Sequence, residues 1–152
     1  MTKIIKITTL ALIAILSFAS CSREDDIDEI FDGKTWYMNG GKINGLKLNS
    51  EIKNFYTDAD GNAYFIQFNG STFQGCLASG ATFSGTWEAN GKNHSIKFII
   101  KNKPDMSSPF DKQIFSIITS ANSYESGADF LFLNKDKDNS VYFANKRNKI
   151  YN

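Results

Sequence analysis

The sequence predicts a β-rich α+β domain, an antiparallel sheet or partial barrel of about seven to eight strands with one main helix packed on it. Three observations predict this class. Apolar and polar residues alternate with a period of two over most of the chain after Gly33, as in strands with one buried face. Turn residues such as Asn69-Gly70 separate these runs. The period changes to that of a helix over one stretch only, about residues 109–120.

The first twenty residues have the pattern of a secretory signal peptide. Lys3 and Lys6 give a cationic start, and a mostly apolar run follows from Ile7 to Phe18. As a helix, this run would span about 18 Å, which is too short for a hydrocarbon core of about 30 Å. We therefore interpret residues 1–20 as an export signal that is removed, not as a membrane span.

The signal ends in Phe18-Ala19-Ser20-Cys21, which resembles the lipobox of bacterial lipoproteins. The resemblance implies that Cys21 carries acyl chains, palmitate among them, and anchors the protein to a membrane. A membrane is thus the expected partner, and the cell envelope, at the outer membrane, is the expected location. The alternative is an ordinary signal peptide followed by a coincidental cysteine.

Residues 21–32 are predicted to be an acidic flexible tether between the lipid and the domain. Six acids stand against one base from Arg23 to Asp32, and no aromatic residue precedes Phe31. Such a composition buries too little apolar surface to order itself. Four residues also resemble the acidic export signal of surface-exposed Bacteroidota lipoproteins, which implies display on the cell surface: Ser22, Glu24, Asp25 and Asp26. The alternatives are linker charges and a protein that faces the periplasm.

Residues 33–152 are predicted to form a single domain. Its predicted strands are 34–38, 42–48, 63–68, 71–77, 82–88, 95–101, 129–134 and 140–144. Asn39-Gly40-Gly41 closes the first strand, and Asn69-Gly70 is a two-residue hairpin turn because both positions tolerate positive φ. Phe130-Leu131-Phe132-Leu133 is apolar on both faces, which predicts a strand buried on both sides. Residues 51–56 are ambiguous and fit a helical turn.

Ser108-Pro109-Phe110-Asp111 is a helix start, with a hydroxyl cap, a proline in the first turn and an acid three residues after the cap. The apolar residues that follow share one helical face: Phe110, Ile114, Ile117, Ile118 and Ala121. This helix is expected to cover one face of the sheet.

Charge and cysteine content exclude some classes of protein. After Asp32 there are 14 basic and 10 acidic residues, an excess too thinly spread for a nucleic-acid interface. The cysteines are Cys21 and Cys76, so a lipidated Cys21 leaves no partner for an intrachain disulfide. Cys76 is therefore expected to be buried as a small apolar residue.

The order of the elements resembles the META domain, a family known from a heat-inducible outer-membrane lipoprotein. The resemblance is carried by Thr35-Trp36-Tyr37-Met38, by Phe73-Gln74-Gly75-Cys76 and by Ser84-Gly85-Thr86-Trp87-Glu88-Ala89-Asn90-Gly91. Leu77 stands where that family usually has Asn, and the family's second cysteine has no counterpart. The resemblance implies the topology and a stress-linked envelope role, with no defined reaction. A lipocalin-like small barrel is the alternative, on the glycine that precedes the first-strand tryptophan (Gly33, Trp36).

Two acidic turns have some features of metal sites. Asp58, Asp60 and Asn62 supply oxygens at alternate positions, like the first half of an EF-hand loop. Ala63 replaces the glycine of that motif and Asn69 its bidentate Glu, so a polar turn is expected and no metal. Asp136-Lys137-Asp138-Asn139 is expected to be a plain hairpin turn.

His94 is the one histidine, and a Cys76–His94 dyad is the conceivable nucleophilic pair. Nothing in the sequence supplies a third, orienting group, the ligands for zinc fall short, and no glycine loop for phosphate is present. The chain is therefore not expected to be an enzyme or to hold a cofactor. His94 is expected in an exposed turn.

The aromatic content favours a core with some residues left for contact. Alternation places six aromatic residues in that core: Phe68, Phe73, Phe83, Trp87, Phe98 and Phe132. Those expected to reach solvent are Tyr37, Tyr56, Tyr124 and Tyr142. The leading hypothesis is a non-catalytic envelope lipoprotein that acts as a binding or structural module. The alternative is a small lipocalin-like carrier of an apolar ligand, which would need an interior cavity of about 300 Å³ or more.

Overall fold

The structure, a computed structural model, describes residues 24–48 and 64–145. Several predictions lie outside them: those for residues 1–20 and 51–56, Cys21, Ser22, Tyr56, and the acidic turn at Asp58, Asp60 and Asn62. The described residues contain two helices and nine strands: α1 Ile27–Phe31, β1 Thr35–Ile43, β2 Leu46–Leu48, β3 Phe65–Asn69, β4 Thr72–Cys76, β5 Thr82–Asn90, β6 Ser95–Asn102, α2 Pro109–Thr119, β7 Ser123–Ser126, β8 Phe130–Asp136 and β9 Asn139–Ala144.

The nine strands form one antiparallel sheet that curls into a partially closed ring. Their order is β2-β1-β3-β4-β5-β6-β7-β8-β9, and β9 pairs back onto β1 from Tyr37–Ala144 to Lys42–Ser140. The narrowest join is between β6 and β7, where a single pair, Ser95–Ser123, links the strands. The predicted β-rich α+β class and partial barrel are confirmed, with nine strands where about seven to eight were expected.

β1 differs from the prediction because it does not stop at Asn39-Gly40-Gly41. The strand runs through this triplet with a bulge between Met38 and Gly40, and the turn lies at Asn44-Gly45, where both residues have positive φ. A Cβ atom at Gly41 would overlap the carbonyl oxygen of Ser140. Gly41 is therefore required because β9 approaches closely at this point, and not because the chain reverses direction.

Other strands depart from the prediction in smaller ways. Asn69 pairs with Thr72, so the β3–β4 turn is Gly70-Ser71, one residue later than predicted. β7 was not predicted, because it is short and polar with one buried residue, Tyr124. β8 is not buried on both sides: Leu131 and Leu133 are fully buried, whereas the Phe130 side chain points outward.

The predicted main helix is confirmed as α2. Ser108 is its N-cap, and the Ser108 hydroxyl accepts a hydrogen bond of 3.2 Å from the backbone N–H of Asp111. The helix packs against β6, β8 and β9 through its buried apolar face: Ile114, Phe115, Ile117 and Ile118. Among the described residues, neither helix is long and apolar enough to cross a membrane.

The segment predicted as a flexible tether differs from that expectation after Glu24. Asp26 caps α1, and its carboxylate accepts a 3.1 Å hydrogen bond from the N–H of Glu29. Phe31 is fully buried, with its ring centroid 4.9 Å from that of Phe68 and 5.2 Å from that of Tyr124. The apolar side of this short helix closes one end of the ring. It was not predicted, because acidic residues dominate the composition of the segment.

The inside of the ring is filled by large side chains. Fully buried residues include Trp36, Tyr64, Phe68, Phe83, Leu131 and Phe143. Phe73 and Phe98 meet edge to face with centroids 5.0 Å apart. Cys76 is buried, as predicted, while Trp87 and Phe132, both predicted to belong to the core, are half-buried.

Candidate functional site

The structure does not bring Cys76 and His94 together. Cys76 pairs with Thr82 at the start of β5, whereas His94 follows the end of β5, which lies about 26 Å further along that strand. His94 is half exposed in the β5–β6 turn, as predicted, and has a φ of 55°. The dyad is therefore not assembled.

His94 instead belongs to a small polar cluster with Asp25 and Tyr124. The Tyr124 hydroxyl donates a 3.1 Å hydrogen bond to Asp25 Oδ2, and His94 Nε2 lies 3.4 Å from the same oxygen. The His94 ring also meets the Tyr124 ring at a near right angle, with 5.7 Å between centroids. Asp25, predicted as part of an export signal, thus also contacts the domain.

Tyr124 is buried, so the prediction that it reaches solvent is wrong. Its exposed fraction is 1%, because Phe31 of α1 covers its ring. Burial, and then the hydrogen bond to the Asp25 carboxylate, raises the pKa of Tyr124 above its ordinary value. The cluster therefore fastens the start of the domain to β7 and offers no proton carrier of tyrosine type near neutral pH.

A second tyrosine–aspartate pair is buried at the start of α2. The Tyr64 hydroxyl donates a short hydrogen bond to Asp111 Oδ1, and Asp111 is 2% exposed. The other carboxylate oxygen, Oδ2, has no hydrogen-bond partner among the described residues. Burial, followed by the contact with Asp111, raises the pKa of Tyr64. The pair ties the start of β3 to the helix, and both side chains are almost completely buried.

The acidic turn between β8 and β9 is a hairpin turn, as predicted. The Asp136 carboxylate accepts hydrogen bonds of 2.9 Å from the backbone N–H of Asp138 and from the side-chain amide of Asn139. These donors lower the pKa of Asp136. In the part of the chain that the structure describes, no group of three His, Cys, Asp or Glu residues is placed to hold a metal ion.

A groove of about 470 Å³ on the outer wall of the ring is the candidate binding site. It lies across β1, β2, β8 and β9. Its lining residues are Asn39, Gly40, Gly41, Lys42, Lys47, Leu48, Phe132, Ser140 and Tyr142. The volume lies within the range of small-molecule sites, about 300–1,000 Å³.

The groove has an aromatic wall and a glycine floor. Phe132 and Tyr142 pair across β8 and β9, with ring centroids 4.7 Å apart and a 32° angle between the rings. On its other side, Tyr142 pairs with Gly40 of β1, which carries no side chain. Gly40 therefore contributes only backbone atoms to the floor of the groove beside the Tyr142 ring.

Polar groups form the rim of the groove. Asn39 and Ser140 contribute short side chains, and Lys42 and Lys47 contribute cations. Lys42 Nζ donates a 3.1 Å hydrogen bond to the carbonyl of Lys137, which holds this cation at the rim. An apolar wall with a few fixed polar groups is the usual composition of a ligand site.

Part of this groove could be predicted from the sequence. Tyr142 was expected to be available for contact and lines the wall, whereas Tyr37 lies outside the groove, 6.3 Å from the ring of Phe65. Phe132 was assigned to the core and is instead half-buried on the outer face. The outward residue Phe130, beside Phe132 with centroids 5.8 Å apart, extends the same aromatic surface.

Comparisons with known proteins agree on one family. A comparison with curated protein sequences found no match to this chain. A crystal structure of a DUF4847 family protein from Bacteroides vulgatus ATCC 8482 matches with a TM-score of 0.62 and 20% identity, over 81% of this chain and 99% of that chain. At this identity the match shows the fold alone.

The family model described as a domain of unknown function (DUF4847) matches residues 22–146. This match spans the N-terminal segment, the ring and both helices, so it agrees with a domain that begins well before Gly33. Neither of these two matches shows a META domain, and the likeness to it remains one of short motifs. The chain belongs to the DUF4847 family.

Proposed function

We propose that this protein is a non-catalytic, lipid-anchored module of the cell envelope that binds an oligosaccharide in the groove beside Tyr142. The observation that carries the proposal is the aromatic wall of Phe132 and Tyr142 beside the Gly40 floor. The family assignment sets no ligand and no reaction, so the chemistry of the groove is the basis for the choice of ligand.

A sugar ring matches this surface in shape and polarity. One face of a pyranose carries mostly C–H groups and stacks on an aromatic ring, while its hydroxyls need hydrogen-bond partners at the edge. Tyr142 and Phe132 supply the ring faces, and the rim residues Asn39, Ser140 and Lys47 supply donors and acceptors. A purely apolar ligand would cover Ser140 and Lys47 without offering them a hydrogen bond, which lowers its affinity.

The runner-up, a carrier of an apolar ligand inside the barrel, has less support. Such a carrier needs an interior cavity, and the interior of this ring holds Trp36, Phe68 and Phe143 at or near zero exposure. The groove beside Tyr142 opens on the outside of the wall, where an oligosaccharide can extend beyond it.

The membrane anchor and the location rest on the sequence. The run Phe18-Ala19-Ser20-Cys21 after a short apolar segment supports lipidation of Cys21, and the META resemblance supports an envelope role without a reaction. The acidic residues Glu24, Asp25 and Asp26 support display on the cell surface, with a periplasm-facing protein as the alternative.

The ligand assignment is tested with a panel of envelope oligosaccharides, titrated calorimetrically into the unlipidated domain. Tyr142→Ala is expected to weaken binding of the best ligand about five- to thirtyfold, because loss of one aromatic ring from the wall costs about 1–2 kcal/mol. Ile99→Ala is the matched control, since Ile99 is an exposed apolar residue on β6. Equal binding by both variants, or no binding across the panel, would contradict the assignment.

The anchor is tested by Cys21→Ser. The variant should leave the membrane fraction, because acyl chains contribute about 0.8 kcal/mol per buried methylene. A variant that still sediments with membranes after a high-salt wash would contradict the anchor.

Surface display is tested with variants that remove charge and keep hydrogen bonds. Glu24→Gln with Asp25→Asn and Asp26→Asn retains the helix cap and the acceptor for Tyr124. It should protect the protein from protease added to whole cells. The control removes three later acids: Asp28→Asn, Glu29→Gln and Asp32→Asn. Equal digestion of both variants would show that the first three acids do not direct display.

A further inference from the structure

We infer that the domain stands on the membrane with its β5–β6 turn towards the lipid, because Asp25 docks on that turn only four residues after the lipidated cysteine. This inference rests on the anchor proposed above and adds the orientation of the domain to it. The surface concerned is one end of the ring, and the partner is the lipid surface itself.

Three contacts dock Asp25. Its backbone N–H donates a 3.2 Å hydrogen bond to the carbonyl of Gly91, and its carboxylate accepts from Tyr124 and lies beside His94. A Cβ atom at Gly91 would overlap the backbone of Asp25, so the glycine allows the chain to lie directly on the turn. Gly91 is itself buried under this segment.

The docking shortens the tether. Twelve residues, 21–32, would reach about 40 Å if they were free and extended, whereas the four steps from Cys21 to Asp25 reach at most about 14 Å. The β5–β6 turn is therefore held within about 14 Å of the anchoring residue. The capped helix α1 and the buried Phe31 keep the rest of the segment on the domain.

The contacts also fix which end of the ring faces the lipid. Gly33 N–H bonds to the carbonyl of Phe68, and Trp87 N–H bonds to the carbonyl of Ser71, so the start of β1 and the β3–β4 turn lie at the same end as Asp25. β1 runs away from this end. Gly40, at the floor of the groove, lies five residues after Thr35, or about 16 Å along the strand. The groove thus lies on the side wall, about 16 Å along β1 from the end of the ring that faces the lipid.

The experiment uses the lipidated full chain in phosphatidylcholine vesicles that carry an acceptor dye on the headgroups. One donor dye is placed at Lys92→Cys in the β5–β6 turn or at Ser79→Cys in the β4–β5 turn at the other end. Both positions are exposed, and Cys76 is buried, so labelling is confined to the new cysteine. Energy transfer from the Lys92 position should exceed transfer from the Ser79 position at least about twofold, since about 20–30 Å of strand separates the two turns.

Two variants test whether the Asp25 contacts set this orientation. Asp25→Ala removes the carboxylate, and Gly91→Ala places a methyl group against the Asp25 backbone, so both should reduce the difference between the two dye positions. Asp25→Asn keeps an acceptor for Tyr124 and should preserve the difference. Unfolding in urea checks that each variant is folded. If one of Asp25→Ala and Gly91→Ala does not fold, the other alone tests the inference.

The outcomes separate this inference from the anchor. Flotation with the vesicles is measured first, and a chain that does not float contradicts the anchor and the orientation together. A chain that floats with equal transfer from both positions overturns the orientation and leaves the anchor standing. A difference that survives both Asp25→Ala and Gly91→Ala shows that other contacts orient the domain, which also overturns the inference.

Discussion

The two ends of the ring are each closed by a tyrosine–aspartate hydrogen bond, but the surroundings of the two pairs differ. Tyr64 and Asp111 join β3 to α2 in a buried site, where one carboxylate oxygen has no partner among the described residues. Tyr124 and Asp25 join β7 to the N-terminal segment, where the carboxylate is 29% exposed and His94 lies beside it. The same pair of residue types is therefore buried at one end and partly exposed at the other.

This difference indicates which contacts hold the fold and which can open. A buried carboxylate depends on its donor, here Tyr64 among the described residues, so the Tyr64–Asp111 bond cannot be lost cheaply. Asp25 can exchange its tyrosine for water, and its release leaves no buried charge behind. The N-terminal end should therefore depend on apolar burial by Phe31, and the α2 end on the polar pair.

The largest expected effect is that of Phe31→Ala, which tests whether the N-terminal segment belongs to the core. Phe31 is fully buried against Phe68, Trp87 and Tyr124. Its truncation should lower the free energy of unfolding by about 3–5 kcal/mol. Urea unfolding of the domain from residue 24 measures this. A loss under 1 kcal/mol, on the order of a surface substitution, would return residues 24–32 to the role of a tether.

The next largest effects are expected from removal of the Tyr64 and Tyr124 hydroxyls. Tyr64→Phe leaves Asp111 buried without its donor and should cost about 2–3 kcal/mol, whereas Tyr124→Phe leaves Asp25 with water and His94 and should cost about 1 kcal/mol or less. Both changes remove one oxygen atom and keep the ring, so each is the control of the other. Equal losses in urea unfolding would remove the distinction between the two ends.

Alkaline pH should lower the free energy of unfolding through the tyrosines at both ends of the ring. The pKa values of Tyr64 and Tyr124 are raised above 10.0, their ordinary value, so the unfolded chain loses these protons first. The stability that they contribute is complete below pH 10.0 and is lost as the pH rises above it, by up to about 1.4 kcal/mol per pH unit for each tyrosine. Urea unfolding between pH 8 and about 11 measures the slope, and the Tyr64→Phe variant should show a shallower one.

The smallest effect is expected for His94→Ala. The side chain is 52% exposed, and its contact with Asp25 is a partly exposed one. The change should stay within about 0.5 kcal/mol and leave oligosaccharide binding unaltered, because the groove lies on other strands. A loss above about 1.4 kcal/mol, or a tenfold loss of binding, would give His94 a role that its geometry does not suggest.

Helix α2 could be predicted closely from the sequence, whereas α1 was not predicted. In α2, the cap at Ser108 and the apolar spacing are local signals that no other part of the chain overrides. In α1, the partners of the acids lie far away in sequence: Asp25 meets Tyr124 and Asp32 meets the N–H of Gly70. A signal was nevertheless present, because Ile27, Ile30 and Phe31 have helical spacing after a capping Asp26.

The groove was harder to predict than the core. Alternation along β1 and β9 places residues inside or outside, but it does not say that these two strands, a hundred residues apart, close the ring. The bulge after Met38 then decides that Gly40 faces Tyr142 on the outer wall. Strand partners and bulges depend on the whole sheet, so this site follows from tertiary structure and not from local pattern.

The single Ser95–Ser123 pair between β6 and β7 has a consequence for self-association. Beyond it, β6 runs on to Asn102 with no strand partner on that side among the described pairings, and such an edge is a template for a strand of another molecule. α2 packs against β6, and the exposed Lys97 and Lys101 add charges that a second chain would have to bury. Helix α2 therefore also hinders polymerisation of the protein through this edge of β6.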